Sequence, residues 1–512
     1  VLKRLEELGV LPMVEALSTV SGGSITGALY ALRCAQAGGP PGSSRVDALI
    51  DEMVPFLTSN LRAEALYGSP ARVLRALRSV VSTRVSRIGL MIGELDRRLY
   101  GGATLDQLPD WIVVNATNLR TGKAWKFYRD RAGDYLAGAT DQTSHLKVAG
   151  AVAASAAYPG LTDSFAFVTR WEDLHLGLLS EDRWERPTGG DGRPSSRWRD
   201  RFGAERGPAV FPLVDGGLYD NEGVNGLRGR GVTHAIISGA APPESEFASG
   251  FTPKRYLRIV EVIHDRLGAA TRQLAYEMTH GVHPNEARET ALALARDLRR
   301  LGQQETTDVA VRAELDALAD RAASLAAVGV PRRGPQFRAS AQVLLHQTGL
   351  ARNAYARPGG AGLDGLDVLP EFRGLDAALV EELSRVRTDL DALEPQAVEL
   401  LMAQGYFLTD AHVKLTMPDL LSPEVLAGGG YGDEGQPRWA RAHAAVAAAR
   451  ADAVGTASVL RMASARRMPL GRVQDGRARR RYVASILVTS LGVLTVLVIL
   501  VWLLVGAIAR VL

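Results

Sequence analysis

The chain has 512 residues, 46% of them hydrophobic and 23% charged, and a formal net charge of +4. That size and balance exclude a disordered polyelectrolyte or a disulfide-built mini-domain and allow one large core plus a second region. The single cysteine, Cys34, can form no intramolecular disulfide and lies in the helical pattern LYALRCAQA, where it reads as a packed side chain.

The charge is not spread evenly. Arg461 to Leu512 carries nine Arg and one Asp, a charge of +8, which leaves −4 on residues 1–460. Basic charge confined to the flank of an apolar segment points to lipid headgroups. No basic surface interleaved with aromatics is visible, so nucleic acid is not an expected partner. The dominance of Arg over Lys, with abundant Ala, fits a GC-rich bacterial coding sequence.

In chain order, residues 1–9 read as a helix ended by Gly9, and 13–20 (MVEALSTV) as a short buried strand. A tight Ser21-Gly22-Gly23 turn follows, then helical apolar spacing from Ser24 to about Ala37. Residues 45–100 read as helical, 111–118 as a strand, and 146–160 as a small-residue helix stopped by Pro159-Gly160. Strands are expected at 210–217 and 233–240. Strands alternating with helices predict an α/β fold with a mainly parallel central sheet. The Arg- and acid-rich stretch from Ser180 to Gly207 reads as a surface insertion, or as a substrate-side flap with Trp184 and Trp198 at a bilayer interface.

Past residue 250, 251–376 reads as a helical insertion, 377–416 as the C-terminal helical part of the core, and 417–481 as an Arg-rich, mostly flexible linker with some helix. Tyr482 to Ala509 is 28 residues without a charge, long enough as a helix to exceed the ~30 Å apolar slab. It predicts a single-pass C-terminal transmembrane helix. Arg477, Arg479, Arg480 and Arg481 at its start place that end, and the globular part, on the cytoplasmic side. Arg461–Arg481 would bind anionic lipid headgroups.

Two short segments carry potential chemistry. Ser21 lies between a strand and a helix, where a sharp turn would present its hydroxyl above a helix N-terminus. Gly22 and Gly23 would permit the turn and supply backbone N–H groups to developing negative charge. Asp215 closes a strand before Gly216 and Gly217, so its carboxylate would stand at a sheet edge, able to accept a proton. Each segment alone also reads as something plainer: an ordinary loop for S-G-G-S, a turn-capping aspartate for Asp-Gly. His234 reads as a packed strand residue. His264, His280, His283, His346 and His412 show no metal spacing, and no carboxylate cluster shows calcium-loop spacing, so neither metal nor cofactor is expected.

Together the segments resemble the patatin-like phospholipase family. STVSGGS (18–24) resembles its nucleophile elbow, and LVDGGLYDNEGV (213–224) its Asp-Gly-Gly block. VVNATNLRTGKAWKF (113–127), AVAASAAYPGL (151–161) and RTDLDALEPQAVELLMAQGY (387–406) resemble further family segments in the expected order. The resemblance implies a three-layer α/β fold with a catalytic core over 1–250. It implies a Ser21–Asp215 dyad without histidine, and two-step acyl transfer on membrane lipid esters. Thr19 departs from the G-x-S-x-G elbow at its first glycine. The family's upstream glycine-rich loop, which forms the oxyanion hole, has no counterpart among the residues before Ser21, so a longer natural N-terminus is expected. A non-catalytic membrane scaffold of the same fold and a soluble-ester hydrolase or thioesterase stay open as alternatives.

Overall fold

The computed structural model describes residues 1–74, 87–159, 162–175, 208–227, 230–239, 337–344, 374–386, 392–422, 437–464 and 483–490, with isolated positions between them. Helix α1 (Leu2–Glu7) leads into strand β1 (Leu17–Val20), and a single residue, Ser21, separates β1 from helix α2 (Gly22–Gln36). Helices α3 (Val46–Thr58), α4 (Leu61–Tyr67) and α5 (Arg87–Leu95) follow. Strands β2 (Ile112–Asn118), β3 (Lys123–Phe127), β4 (Ala132–Asp134) and β5 (Gly138–Thr140) come next, then helix α6 (Val148–Ser155). Strands β6 (Phe165–Thr169) and β7 (Ala209–Asp215) complete a seven-stranded sheet.

The sheet order is β5-β4-β3-β2-β7-β6, with β1 paired to β2 off that path. The sheet is therefore not mainly parallel: β1–β2 is its one parallel pair, and the other five described pairings are antiparallel. From β2 through β5 the cause is connection length. Residues 119–122, 128–131 and 135–137 join β2 through β5, and turns that short can only reverse the chain. The helical crossover from α2 to α5 gives β1 and β2 the room that parallel pairing needs. Every residue of β2 is buried, as a strand covered on both faces requires. Helices α2 and α6 pack on β1, β2 and β7. The sheet's other end is filled by Trp125, Phe127, Phe167 and Phe211, with Trp125 ring centroids 4.7 Å from Phe167 and 5.1 Å from Phe211.

A second, two-stranded parallel sheet joins β8 (His234–Gly239) to β9 (Ala339–Leu344). The expected helical insertion 251–376 therefore contributes at least one strand; most of its remainder lies outside the described residues. His234 is mostly buried, and its Nε2 lies 2.9 Å from Asp419 Oδ2.

Helices α7 (Ala377–Ser384), α8 (Pro395–Thr416), α9 (Ala440–Ala451) and α10 (Ala453–Ser464) enclose a separate core of Leu379, Leu383, Leu400, Phe407, Val446 and Leu460. The helix within 417–481 comprises α9 and α10, and both pack against α8, because their alanines allow close approach. Among the described residues no helix is long and apolar enough to cross a membrane. Of the expected span Tyr482–Ala509, residues 483–490 are described, as helix, and the rest lies outside the described residues. The candidate flap from Ser180 to Gly207 also lies outside them, as do His264, His280, His283 and His346.

Helix α8 is bound to α1 by buried charge. Arg4, fully buried, donates from Nε (2.9 Å) and Nη2 (2.7 Å) to Asp410 Oδ1, and Lys414 Nζ lies 2.9 Å from the same oxygen. Arg4 Nη1 also reaches Glu7 at 2.9 Å, and Glu7 accepts the Tyr406 hydroxyl. Asp410→Ala would remove the carboxylate that two buried cations share. It is expected to lower stability by about 3–5 kcal/mol, read as an earlier urea midpoint with an unchanged m-value.

Candidate active site

Ser21 has φ 51° and ψ −126°, the only positive φ outside glycine among the described residues. A backbone of that kind costs on the order of 1–3 kcal/mol and persists only where its surroundings enforce it. Here both backbone groups are tied: the Ser21 N–H donates to Ser155 Oγ at 3.0 Å, and the Ser21 carbonyl accepts the Ser24 N–H at 2.9 Å. Serine at a helix N-cap ordinarily turns its hydroxyl onto the first-turn amides. Ser21 makes no such bond; its Oγ donates instead to Asp215 Oδ2 at 2.7 Å. The two residues singled out in the sequence are thus in direct contact across 194 positions of chain.

Asp215 sits at the end of β7, opposite Ala116 of β2. Its backbone is held at both ends, the N–H by the Ala157 carbonyl (3.0 Å) and the carbonyl by the Thr117 hydroxyl (2.8 Å). Its Oδ1 accepts the Gly217 N–H at 2.8 Å. Gly216 is required by space, since a Cβ there would lie 2.4 Å from the Asn115 carbonyl oxygen. Burial raises the Asp215 pKa to about 6, against the opposing pull of the Ser21 and Gly217 hydrogen bonds. Gly22 and Gly23 are different: both are exposed, and a Cβ on either would meet nothing within 4 Å. The space above the α2 N-terminus is open, and the partial positive end of that helix faces it.

The departure at Thr19 is absorbed. Its hydroxyl donates to the Val113 carbonyl (3.0 Å) and lies 3.1 Å from Ser24 Oγ, while its methyl occupies room left by Gly27. A Cβ on Gly27 would be only 2.5 Å from Thr19 Cγ2.

Residues 1–228 match the sequence profile of the family described as Patatin-like phospholipase. They form a patatin-like phospholipase domain. Members of that family are esterases and lipid acyl hydrolases. The matched stretch contains Ser21 and Asp215, their glycines, and all the strands of the large sheet. No curated protein matches the chain.

Inside the patatin-like domain the site rests on residues that the sequence did not single out. Ser155, fully buried, gathers three contacts: its Oγ lies 2.6 Å from the Asn115 carbonyl and 2.8 Å from Ser24 Oγ, and it receives the Ser21 N–H. Asn115 Nδ2 donates to Ser18 Oγ and to the Thr19 carbonyl, both at 2.9 Å, which pins the end of β1. A lone hydroxyl in a helix of small residues and an amide in the middle of an otherwise mostly apolar strand are the available signals. Among the described residues no group of three or more His, Cys, Asp or Glu side chains gathers as a metal site would require. His412 is buried in α8, and burial lowers its pKa to about 4.

Two predictions follow from this geometry. Ser155→Ala would free the Ser21 amide and let the elbow relax. Hydrolysis of an ester reporter is expected to fall about 100-fold in kcat with little change in KM. The second concerns Asp215, whose folded pKa of about 6 exceeds the ordinary value of 3.8. The folded state then holds a proton that the unfolded chain has released, so this group's contribution is fully present below the ordinary value. It is lost as pH rises from about 4 through about 6. Asp215→Asn should therefore stabilise the fold above that window by on the order of 1–3 kcal/mol, measured by thermal denaturation at pH 5 and pH 8.

Proposed function

We propose that the chain is a lipid acyl hydrolase of phospholipase A or lysophospholipase type, cleaving carboxylic esters through a Ser21–Asp215 dyad at a membrane surface. The observation that carries this reading is the 2.7 Å hydrogen bond from Ser21 Oγ to Asp215, made by a serine in a strained turn at a helix N-terminus inside a patatin-like domain.

In the first step Ser21 Oγ attacks the ester carbonyl carbon and Asp215 takes the hydroxyl proton. The ester oxygen develops negative charge near the open α2 N-terminus, where the backbone amides of Gly22 and Gly23 are suited to receive it. Collapse of the tetrahedral species expels the alcohol, protonated from Asp215, and leaves an acyl group on Ser21. Water then attacks the acyl carbon with Asp215 again as base, releasing fatty acid and free serine. A carboxylate with pKa about 6 is ionised at neutral pH and basic enough to accept a proton in transit. Activity is expected to fall on the acid side as Asp215 becomes protonated.

The proposed location is a membrane, with Tyr482–Ala509 as a single C-terminal anchor, the catalytic domain cytoplasmic, and Arg461–Arg481 against anionic headgroups. What supports it is the uncharged run of 28 residues and the arginines at its start.

The test is labelling by a serine-directed fluorophosphonate together with fatty-acid release from phospholipid vesicles. Wild-type protein should be labelled and should release fatty acid, while Ser21→Ala should do neither. Undiminished labelling of Ser21→Ala would remove Ser21 as the nucleophile. Turnover of short acyl esters but not of phospholipid would move the substrate class to soluble esters.

A further inference from the structure

The described helix 483–490 is inside out for a helix in water. Its buried positions are Ser485 and Thr489, at 6% and 8% exposure, while the third hydroxyl residue, Ser490, is exposed at its described end. Its exposed positions include Val483, Leu487 and Val488, the last two at 63% and 59%. A surface helix of a soluble domain turns its apolar stripe inward and its polar side outward. The reverse, with Ser and Thr against protein and aliphatic side chains outward, is how a helix is arranged when its surroundings are hydrocarbon.

The hydroxyl stripe has a specific seat. Thr489 Oγ1 lies 3.1 Å from the Pro70 carbonyl oxygen and 2.8 Å from that of Ser485, placed to donate to either. Pro70 lies at the start of a helical stretch of the patatin-like domain described over 70–74, and one turn further on Leu74 is itself 42% exposed. Leu74, Val483, Leu487 and Val488 thus add aliphatic surface on two elements joined by the Thr489–Pro70 contact.

We propose that this surface is where the protein meets the bilayer: the lipid surface covers Leu74 and the outer side of helix 483–490, and Thr489 fixes the catalytic domain to the root of its own anchor. This rests on the membrane reading above and goes beyond it, because an anchor alone would leave the domain free to tumble on its tail. Lipid is the favoured occupant because of what adjoins the patch. The helix continues in sequence into an uncharged run that reaches Ala509, and Arg477, Arg479, Arg480 and Arg481 precede it, the charge that anionic headgroups complement.

Cys34 is buried, so a cysteine introduced at an exposed site is the one reactive thiol. The full chain carrying Leu74→Cys, Leu487→Cys or Val454→Cys, each labelled with bimane, is reconstituted into phosphatidylcholine–phosphatidylglycerol vesicles. Val454 is 80% exposed on α10 and serves as the aqueous reference. Labels at 74 and 487 should lose most of their emission to nitroxide lipids and little to iodide, and the label at 454 should do the reverse. If the protein floats with the vesicles but the label at 74 answers to iodide, the seating is wrong and the anchor stands. If the protein does not float, the anchor reading falls and the seating with it. Labels shielded from both quenchers, in a chain that runs at twice its mass, would mean that a second copy covers the surface and would reject lipid as the occupant.

Discussion

The constraint on which the described core depends is the left-handed backbone of Ser21, squeezed between the last residue of β1 and the first of α2. A strand ending beside β2 and a helix beginning at residue 22 leave one residue in which to reverse direction. That residue cannot relax, because Ser155 holds its amide and Ser24 its carbonyl. The consequence is chemical. A hydroxyl that would otherwise cap the helix is turned toward the end of β7, where Asp215 is held by Ala157, Thr117 and Gly217. Strain on one side and burial on the other hold the pair in contact.

The parts of this arrangement that were legible in the sequence are those with local causes. Ser21-Gly22-Gly23 and Asp215-Gly216-Gly217 announce tight turns, and the apolar spacing after residue 24 announces α2. That the two turns meet could be expected only by resemblance, because the β2–β7 pairing that joins them is a contact between distant segments. Sheet direction is hidden in the sequence for a related reason. Strands β3, β4 and β5 are short and rich in small or charged residues, so the turns between them did not register as hairpins. Ser155 and Asn115 were hidden because a buried polar residue looks the same in sequence whether it satisfies one partner or three.

Past the patatin-like domain, alanine misled in the other direction. Residues 440–464 carry few bulky side chains, Val446 and Leu460 being the buried ones, and so read mostly as linker with some helix. They pack closely because small side chains let α9 lie against α8. The Arg4–Asp410–Lys414 cluster then ties α8 back to α1, so the helical part beyond residue 377 is bound into the same body as the sheet. Ionic joints of this sort favour one docking over its slipped neighbours, since a register shift would strand a charge away from water.

The contact between Thr19 and Gly27 has a consequence for how this elbow can vary. The two positions share the space of one methyl group: threonine fills it from the strand, and an alanine at 27 would fill it from the helix. Only one tenant fits. An elbow with glycine at 19 would tolerate alanine at 27, whereas this one forbids it, so substitutions at the two positions are not independent of each other. Change at the turn that carries Ser21 is thereby coupled to a position well inside the helix that follows it.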